Sequence, residues 1–566
     1  MKSIFISLAL ILSFVIHAQK PTLPDDVRAS IEKRVALGDN PSIVVGMINA
    51  EGTSYFSFGA KKLGGDPVNE HSIYEIGSIS KTFTATLMAD NILKGEMSLD
   101  DPAQQYLPET VHLPTYEGKS ITLGNLSDHT SSLPRMPTNF HPADPMNPYA
   151  DYTQDQLFEF LSSYTLTRPI GSEYEYSNLA MGLLGQILSM KAGTSYEDLM
   201  LTKIAKPLHM EETKITLDAN MKKNLAYGYS GEQQVENWDL PTLAGAGAIR
   251  SSAYDMIKYV AAEMNLTPSP LHDAMTLTHQ PRHNKVGGNE IGLNWFIVTE
   301  GSQKIISHGG ATGGYRAFVG FTDKLGVVVL TNSDDDGDDI AMHLLDNQSP
   351  LRVIKPKLTN WIMETIDKKG SKKLLDQYEK MKKEQPDFYS IDENEINALG
   401  YKYMNEKKDL KAATAVFELN MKEFPASFNV YDSYAEALMN AGNNKDAITN
   451  YKKSLELNPG NTNGTEMLAK LGVVYEVKAP ALDEALLATY DGTYELAPGF
   501  NLVITHEGTH LFGQATGQSK FELFPKSNTE FYLKVVDARI TFAKNDTGVM
   551  GLTLFQNGAV IPGKKM

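Results

Sequence analysis

The sequence predicts an α/β (α+β) chain in three parts: a mixed domain with an antiparallel sheet and a helical insertion, then α-helical repeats, then a small antiparallel β domain. Three observations predict it. Strand-like runs lie at both ends of residues 21–366 with helix-like segments between them, a period of 34 residues begins at 396, and short alternating runs fill residues 484–566. At 566 residues the chain is too long for one ordinary domain. With 42% hydrophobic and 21% charged residues it is globular.

Residues 1–18 read as a signal peptide. Lys2 is followed by an apolar core from Ile4 to Ile16, Ala18 is a small residue at the cleavage position, and Gln19 would start the mature chain. That core is short for a membrane span, and no membrane span is expected once it is removed. The location expected is therefore periplasmic or secreted. The chain has no cysteine, which excludes disulfides, thiol catalysis, thiolate metal sites and a lipid-modified amino-terminal cysteine. A net charge of −17 argues against a nucleic-acid partner.

Within residues 21–366, "SIVVGMINA" (42–50) and "TSYFSFGA" (53–60) are β-rich and separated by Glu51-Gly52, a hairpin signal. Residues 80–240 read mostly as helix and loop, and strands return in "GLNWFIVTE", "QKIISHGG", "YRAFVGFT" and "LGVVVLTNS". Residues 367–395, rich in Lys and Glu, read as a helical connector. Residues 396–429 and 430–463 are successive units whose matching positions include Ala413 and Ala447, Phe417 and Tyr451, Pro425 and Pro459. The period and pattern resemble tetratricopeptide repeats, with 396–472 as the repeat region, a capping helix near Met467, and Tyr401 where a small residue normally allows close packing. The resemblance implies a possible protein partner through these repeats. Residues 484–566 alternate apolar and polar residues and break at Gly, Asn or Pro, as a small β domain does.

The chemistry is concentrated in "YEIGSISKTFTATLMAD" (74–90). On a helix, residues three apart share a face, so Ser78 can stand beside Lys81 and Ser80 cannot. A hydroxyl at a helix start sits in the positive end of the backbone dipole. A lysine held beside it in a dry site takes the serine's proton when neutral, or stabilises another base or the developing anion when charged. S-x-x-K alone is a weak signal, since Ser30 and Lys33 repeat it on a surface helix. Partners follow in order: Tyr176-Ser177-Asn178, then His308-Gly309-Gly310. Tyr-x-Asn also recurs at Tyr403 to Asn405, so it too needs its context.

Together these elements resemble the serine β-lactamase and penicillin-binding-protein superfamily. The narrower resemblance is to its class C-like branch, in which His-x-Gly often stands in the third position. The phrases "SLDDPAQQYLP", "LSDHTSSLPR" and "GAGAIRSSAYDMIKYV" support it, with Ser132 in place of a usual glycine. The resemblance implies Ser78 as nucleophile, Lys81 as activating amine and Tyr176 as a shared base that guides water. It implies that Asn178 hydrogen-bonds the substrate amide or the lysine, and that His308 to Gly310 form the edge strand lining the cleft. The oxyanion hole would use the N–H groups of Ser78 and Ala311. No cofactor and no metal are implied. The expected function is an exported serine hydrolase cleaving a small-molecule or peptide amide or ester through an acyl-enzyme. One alternative is a β-lactamase or a peptidase of D-amino-acid, cell-wall-type substrates. An alternative of another class is a non-turnover binding or sensor protein using the repeats. His308 stands where a lysine would grip a substrate carboxylate, and imidazole is mostly neutral at pH 7, which favours an esterase or peptidase. Arg135 or Arg316 could supply the missing charge.

Three other patterns read as structural. "HEGTH" (506–510) has Gly508 at its centre and strands on both sides, so a hairpin turn fits better than a zinc helix. "NSDDDGDDIAMH" (332–343) lacks the closing glutamate of a calcium loop and reads as a helix start. His279 and His283 are interrupted by Pro281.

Overall fold

The computed structural model describes residues 19–566 except 232, 287–288, 301–302, 476–481, 498–499, 535, 537, 545–549 and 557–558. The expected leader, residues 1–18, lies outside the described residues. The chain divides into two compact units, the first ending at Ile354 and the second beginning at Lys355. Among the described residues no helix is long and apolar enough to cross a membrane.

The first unit is an α/β domain built on an eight-stranded antiparallel sheet. Its strands are β1 (Ser42–Asn49), β2 (Gly52–Gly59), β3 (His283–Val286), β4 (Asn289–Ile291), β5 (Phe296–Glu300), β6 (Gln303–Ala311), β7 (Arg316–Phe321) and β8 (Gly326–Thr331). Their order is β2-β1-β8-β7-β6-β5-β4-β3, so the sheet is drawn from both ends of the domain. Asn49 pairs with Gly52, so the first hairpin turns on Ala50 and Glu51, one residue ahead of the Glu51-Gly52 expected.

Both faces of the central strands are covered, which is why β1 and β8 are continuous apolar runs rather than alternating ones. Ile43, Val45 and Met47 pack with Val27 and Ile31 of α1 (Asp25–Leu37) on one face. Val44 and Ile48 pack on the other, in the core shared with α2 (Ser80–Leu93), α3 (Asn178–Ala192) and α4 (Ala253–Glu263). α5 (Asp338–Leu345) returns to the α1 face, where the fully buried Arg34 donates to Asp339 (2.5 Å) and to the carbonyl of Asp336 (3.1 Å). Asp338 and Asp339 occupy the first turn of α5, as the aspartate run suggested.

In the second unit a helical region precedes an antiparallel barrel. Helix α6 (Leu358–Lys369) spans the domain boundary expected at 366. Its Leu358, Ile362 and Ile366 are buried with Leu374 and Tyr378 of α7 (Leu374–Glu384) and with Ile396 of α8 (Glu393–Tyr401). The stretch read as a connector thus supplies core to the helices that follow it.

Those helices are α9 (Leu410–Glu423), α10 (Phe428–Asn440), α11 (Asn444–Leu457) and α12 (Thr462–Lys470). Ala413, Phe417, Ala447 and Tyr451, matched by the period, are all fully buried. Pro425 and Pro459 follow the ends of α9 and α11, where proline cannot continue a helix. The small residue that lets α8 approach α9 is Gly400, not position 401. A Cβ on Gly400 would lie 2.5 Å from the Phe417 ring, and Tyr401 instead sits edge-on to that ring at 5.1 Å.

The last eight strands, from Gly492–Ala497 to Ala559–Lys565, run antiparallel in chain order and close into a barrel when the first pairs with the last. Closure leaves no unpaired edge. Leu502, Ile504, Leu511, Phe531, Ile540 and Phe542 fill its core, with Tyr490 stacked on Phe542 at 4.1 Å.

Because the Phe417 ring occupies the space above Gly400, Gly400→Ala should destabilise the second unit by about 1–3 kcal/mol. Urea denaturation of the purified protein, followed by far-UV circular dichroism, measures it.

Candidate active site

The site begins where residues Gly77–Ile79 form a 3₁₀ turn that runs into α2. Residues Ser80 to Ala89 are all buried, so this helix has no wet face in its first turns. Ser80 is used structurally: its Oγ accepts the N–H of Ile249 (3.1 Å). Lys81, one residue on, has no exposure and points towards Ser78. Its Nζ lies 3.0 Å from Ser78 Oγ, 2.9 Å from Asn178 Oδ1 and 2.7 Å from the carbonyl oxygen of Ala246. It also sits 4.8 Å from the centre of the Tyr176 ring.

Burial drives the Lys81 pKa well below the ordinary lysine value, and the positive charge of Arg135 lowers it further. In its neutral form the amine carries two N–H groups and one lone pair. Two of its three neighbours, Asn178 Oδ1 and the Ala246 carbonyl, can only accept. With both N–H groups taken by them, the neutral form turns its lone pair to the Ser78 hydroxyl.

Tyr176 and Asn178 are fixed by a seam of backbone bonds to residues 129–135. The N–H of Glu175 donates to the carbonyl of His129 (2.8 Å), that of Ser177 to His129 Nδ1 (3.1 Å), and that of Asn178 to the carbonyl of Arg135 (3.0 Å). Ser177 caps α3, its Oγ accepting from Ala180 N–H (2.9 Å) and donating to the Pro134 carbonyl (2.7 Å). The Tyr176 ring lies 4.6 Å from the His129 ring, and the Arg135 guanidinium carbon 5.2 Å from its centre. Burial pushes the Tyr176 phenol up to about 12, and a hydrogen bond with Ser78 works in the opposite direction. Sequence reasoning did not assign His129; its only signal was its place in "LSDHTSSLPR". Ser132 takes the left-handed backbone (φ 62°) that a glycine would adopt more cheaply, and its hydroxyl donates to the Pro169 carbonyl (2.9 Å).

The third element is the end of β6. This strand is not a sheet edge along its whole length, because β5 pairs with residues 303–307 and leaves only His308 to Ala311 unpaired on the cleft side. Two glycines let it meet the serine turn. A Cβ on Gly310 would lie 2.0 Å from the Ile76 carbonyl oxygen, and one on Gly77 (φ 49°) would lie 2.7 Å from the Ala311 nitrogen. The backbones of 76–77 and 310–311 are therefore in direct contact.

His308 is buried, and its Nδ1 lies 2.6 Å from the Gly309 carbonyl oxygen. A carbonyl only accepts, so Nδ1 carries the hydrogen and Nε2 is a bare acceptor. Nε2 is buried and has no partner among the described residues. Burial, with Lys81 adding to it, takes the His308 pKa down to about 3, so the ring is neutral at pH 7.

Ser78, Tyr176, Asn178, His308, Gly310 and Ala311 line one cleft of about 800 Å³, walled on one side by Tyr149 and Trp238, whose rings are 5.4 Å apart. Trp238 is held from behind: its N–H donates to Glu75 (2.9 Å), and Arg250 reaches both Glu75 (3.2 Å) and the Trp238 carbonyl (2.8 Å). Arg135 and Arg316 also line the cleft.

The structure thus brings together Ser78, Lys81, Tyr176, Asn178, His308, Gly310 and Ala311. The other patterns lie elsewhere. Ser30 and Lys33 are on α1. "HEGTH" is the turn of a β-hairpin in which Glu507 pairs with His510, Gly508 has φ 58°, and the histidines bond Asp491 and Glu522 separately. Among the described residues no group of three or more His, Asp or Glu side chains could hold a metal.

Residues 27–348 match the family model described as Beta-lactamase, and residues 476–562 match a domain of unknown function, DUF3471. The chain is 30% identical over 281 residues to the D-alanyl-D-alanine-carboxypeptidase/endopeptidase AmpH of Escherichia coli strain K12, covering 46% of this chain and 71% of that protein. It is 28% identical over 350 residues to a beta-lactamase of Pseudomonas fluorescens, covering 54% and 93%. Among solved structures, a class C beta lactamase from Rhodobacter sphaeroides superposes with a TM-score of 0.50 at 25% identity, covering 57% of this chain and 99% of that one.

His308 binds a proton in the unfolded chain below its usual value of about 6.5, but in the folded site only near pH 3. Stability should therefore fall as pH drops from about 6.5 towards 3, because the unfolded state takes up the extra proton. Urea titrations across that range should show His308→Asn with a shallower fall than the parent, by up to one proton.

Proposed function

This chain belongs to the beta-lactamase family and is a serine hydrolase, and we propose that it cleaves an amide or ester through an acyl-enzyme on Ser78. The observation that carries the roles is the contact of Lys81 Nζ with three oxygens, which in the neutral amine leaves the lone pair for the Ser78 hydroxyl. Ser78 Oγ attacks the carbonyl carbon as its proton passes to Lys81 Nζ, and an Oγ–C bond forms. The carbonyl oxygen becomes an oxyanion held by the N–H groups of Ser78 and Ala311, at the seam that Gly77 and Gly310 allow. Tyr176 relays the proton from Lys81 to the departing nitrogen or oxygen, and the C–N or C–O bond breaks. Water then attacks the acyl carbon, its proton travels through Tyr176 and Lys81 to Ser78 Oγ as the Oγ–C bond breaks, and the free acid leaves. Asn178 orients the lysine through its Oδ1.

A peptidase or esterase fits this cleft better than efficient β-lactam hydrolysis. His308 is neutral at pH 7 and presents an acceptor, so it does not grip a carboxylate as a lysine would. Cleavage of D-amino-acid peptides is the second reading, favoured by the likeness to a D-alanyl-D-alanine-carboxypeptidase/endopeptidase. A non-turnover sensor is disfavoured by the presence of nucleophile, amine and phenol together in one cleft.

The leader at residues 1–18 supports export to the periplasm or beyond. The helices from α8 to α12, with their repeating buried Ala and aromatic positions, support tetratricopeptide-like hairpins that dock a protein partner. The barrel is an accessory domain.

A tagged fluorophosphonate should label the protein and fail to label Ser78→Ala. Ser78→Ala and Lys81→Met should each lower ester turnover by at least about 10³-fold, and Tyr176→Phe by about 10²–10⁴-fold. A steady-state panel of esters, D-amino-acid peptides and β-lactams measures all three, and unchanged rates in Ser78→Ala would remove the reading.

A further inference from the structure

The barrel of the second unit is not filled along its whole length. An eight-stranded barrel has an interior just wide enough to be packed with side chains or to hold one small ligand. Towards one end it is packed. Tyr490 lies on Phe542 (4.1 Å), and Phe531 and Tyr494 stand edge-on to the same ring (5.7 and 6.0 Å). The register puts Phe500 opposite Ala497 and Ala538 opposite Gln556, at the other ends of their strands. There a cavity of about 250 Å³ remains. Leu502, Ile540 and Leu554 line it, with two alanines, Ala515 and Ala538, where larger side chains would close it.

Phe500 and Val536 also line the cavity and are 36% and 46% exposed, so it opens to solvent there. Among the described residues no charged side chain lines it. Its polar side chains are Gln518 and Gln556, whose amides make no hydrogen bond among those residues. Ala538 and Gln556 also line the groove beside the barrel, where the charged groups are spent on one another. Glu530 accepts there from both Lys526 (3.1 Å) and Arg539 (3.4 Å). Protein interiors hold few voids larger than a water molecule. An apolar cavity of about 150 Å³ stays dry and takes up benzene. In proportion, this one holds about ten carbons.

We propose that the barrel is a binding site for a neutral amphiphile: an aliphatic chain of about ten carbons that enters past Phe500 and Val536 and leaves a hydroxyl or amide head at Gln518 and Gln556. The wall is mostly aliphatic, which suits a chain. Carboxamides both donate and accept, so the head that suits them does the same. A charged head would find no counter-charge in the lining. The inference does not depend on the chemistry of Ser78.

The test titrates the full-length protein by calorimetry with 1-hexanol, 1-octanol, 1-decanol and 1-dodecanol. One site per chain is expected, with Kd falling about fourfold for each added methylene. The fall should level off beyond about ten carbons, when the cavity is full. Decanoate and decyltrimethylammonium should bind no tighter than 1-decanol. Ala515→Leu fills part of the cavity and should weaken 1-decanol at least about tenfold while ester turnover at Ser78 stays unchanged. A diazirine analogue of 1-decanol, photolysed on the parent protein, should mark peptides within 496–521 and 533–556, and this result decides the matter if the variant does not fold. No binding, no levelling with chain length, tighter binding of either charged amphiphile, 1-decanol bound as tightly by a folded Ala515→Leu, or label confined to other segments would overturn the inference.

Discussion

A lysine amine with no exposure, shared among three oxygens, is the constraint on which the rest of the first unit depends. Moving a charged ammonium from water into such a place costs several kcal/mol, so burial favours the neutral amine. Each oxygen that meets it comes from a different segment: the turn before α2, the first residue of α3, and the stretch 244–247. The core has to deliver all three within hydrogen-bond reach. Small residues make that possible. A Cβ on Gly245 would lie 3.0 Å from the Gly185 Cα of α3, and one on Gly182 would lie 2.3 Å from Leu243. The run "AGAGA" (244–248) carries the glycine that admits this approach, and the Ala246 carbonyl reaches Lys81 at 2.7 Å.

The sheet supplies the second half of the cleft, and contact between two backbones joins the halves. Gly77 and Gly310 remove the side chains that would hold the serine turn away from β6. The seam between residues 129–135 and 175–178 then fixes Tyr176 over Lys81. The amides of residues 175, 177 and 178 are tied there, so backbone bonds on both sides of Tyr176 help to place the phenol. The acidic loop before α5 is anchored by Arg34 and Arg352, which leaves Asp336 and Asp338 lining the cleft.

Much of the site was legible because its signals are local. Ser78 and Lys81 are three residues apart on a helix start, and Tyr176 and Asn178 flank the Ser177 cap. The aspartates at 338 and 339 read as a helix start, and "HEGTH" as a hairpin. What was not legible depends on partners distant in the chain or on backbone atoms. The Ala246 carbonyl carries no side-chain signature, and the role of His129 comes from bonds to residues 175 and 177. β6 was expected to be an edge strand, but the pairing of residues 303–307 with β5 is a tertiary fact. The boundary near 366 was misplaced because α6 is rich in polar residues overall. Its Leu358, Ile362 and Ile366, spaced by four, commit it to the second unit's core. Tyr401 drew attention in the repeat, while the close approach belongs to Gly400.

The central claim is that Lys81 is a neutral amine whose lone pair faces Ser78. The pH dependence of the single-turnover acylation rate, measured with a substrate that does not itself titrate, tests it most directly. A neutral amine in the free enzyme predicts a rate that has reached its plateau well below pH 10.5, the ordinary lysine value. A rate that keeps climbing through pH 10, with its midpoint at that ordinary value, would contradict it.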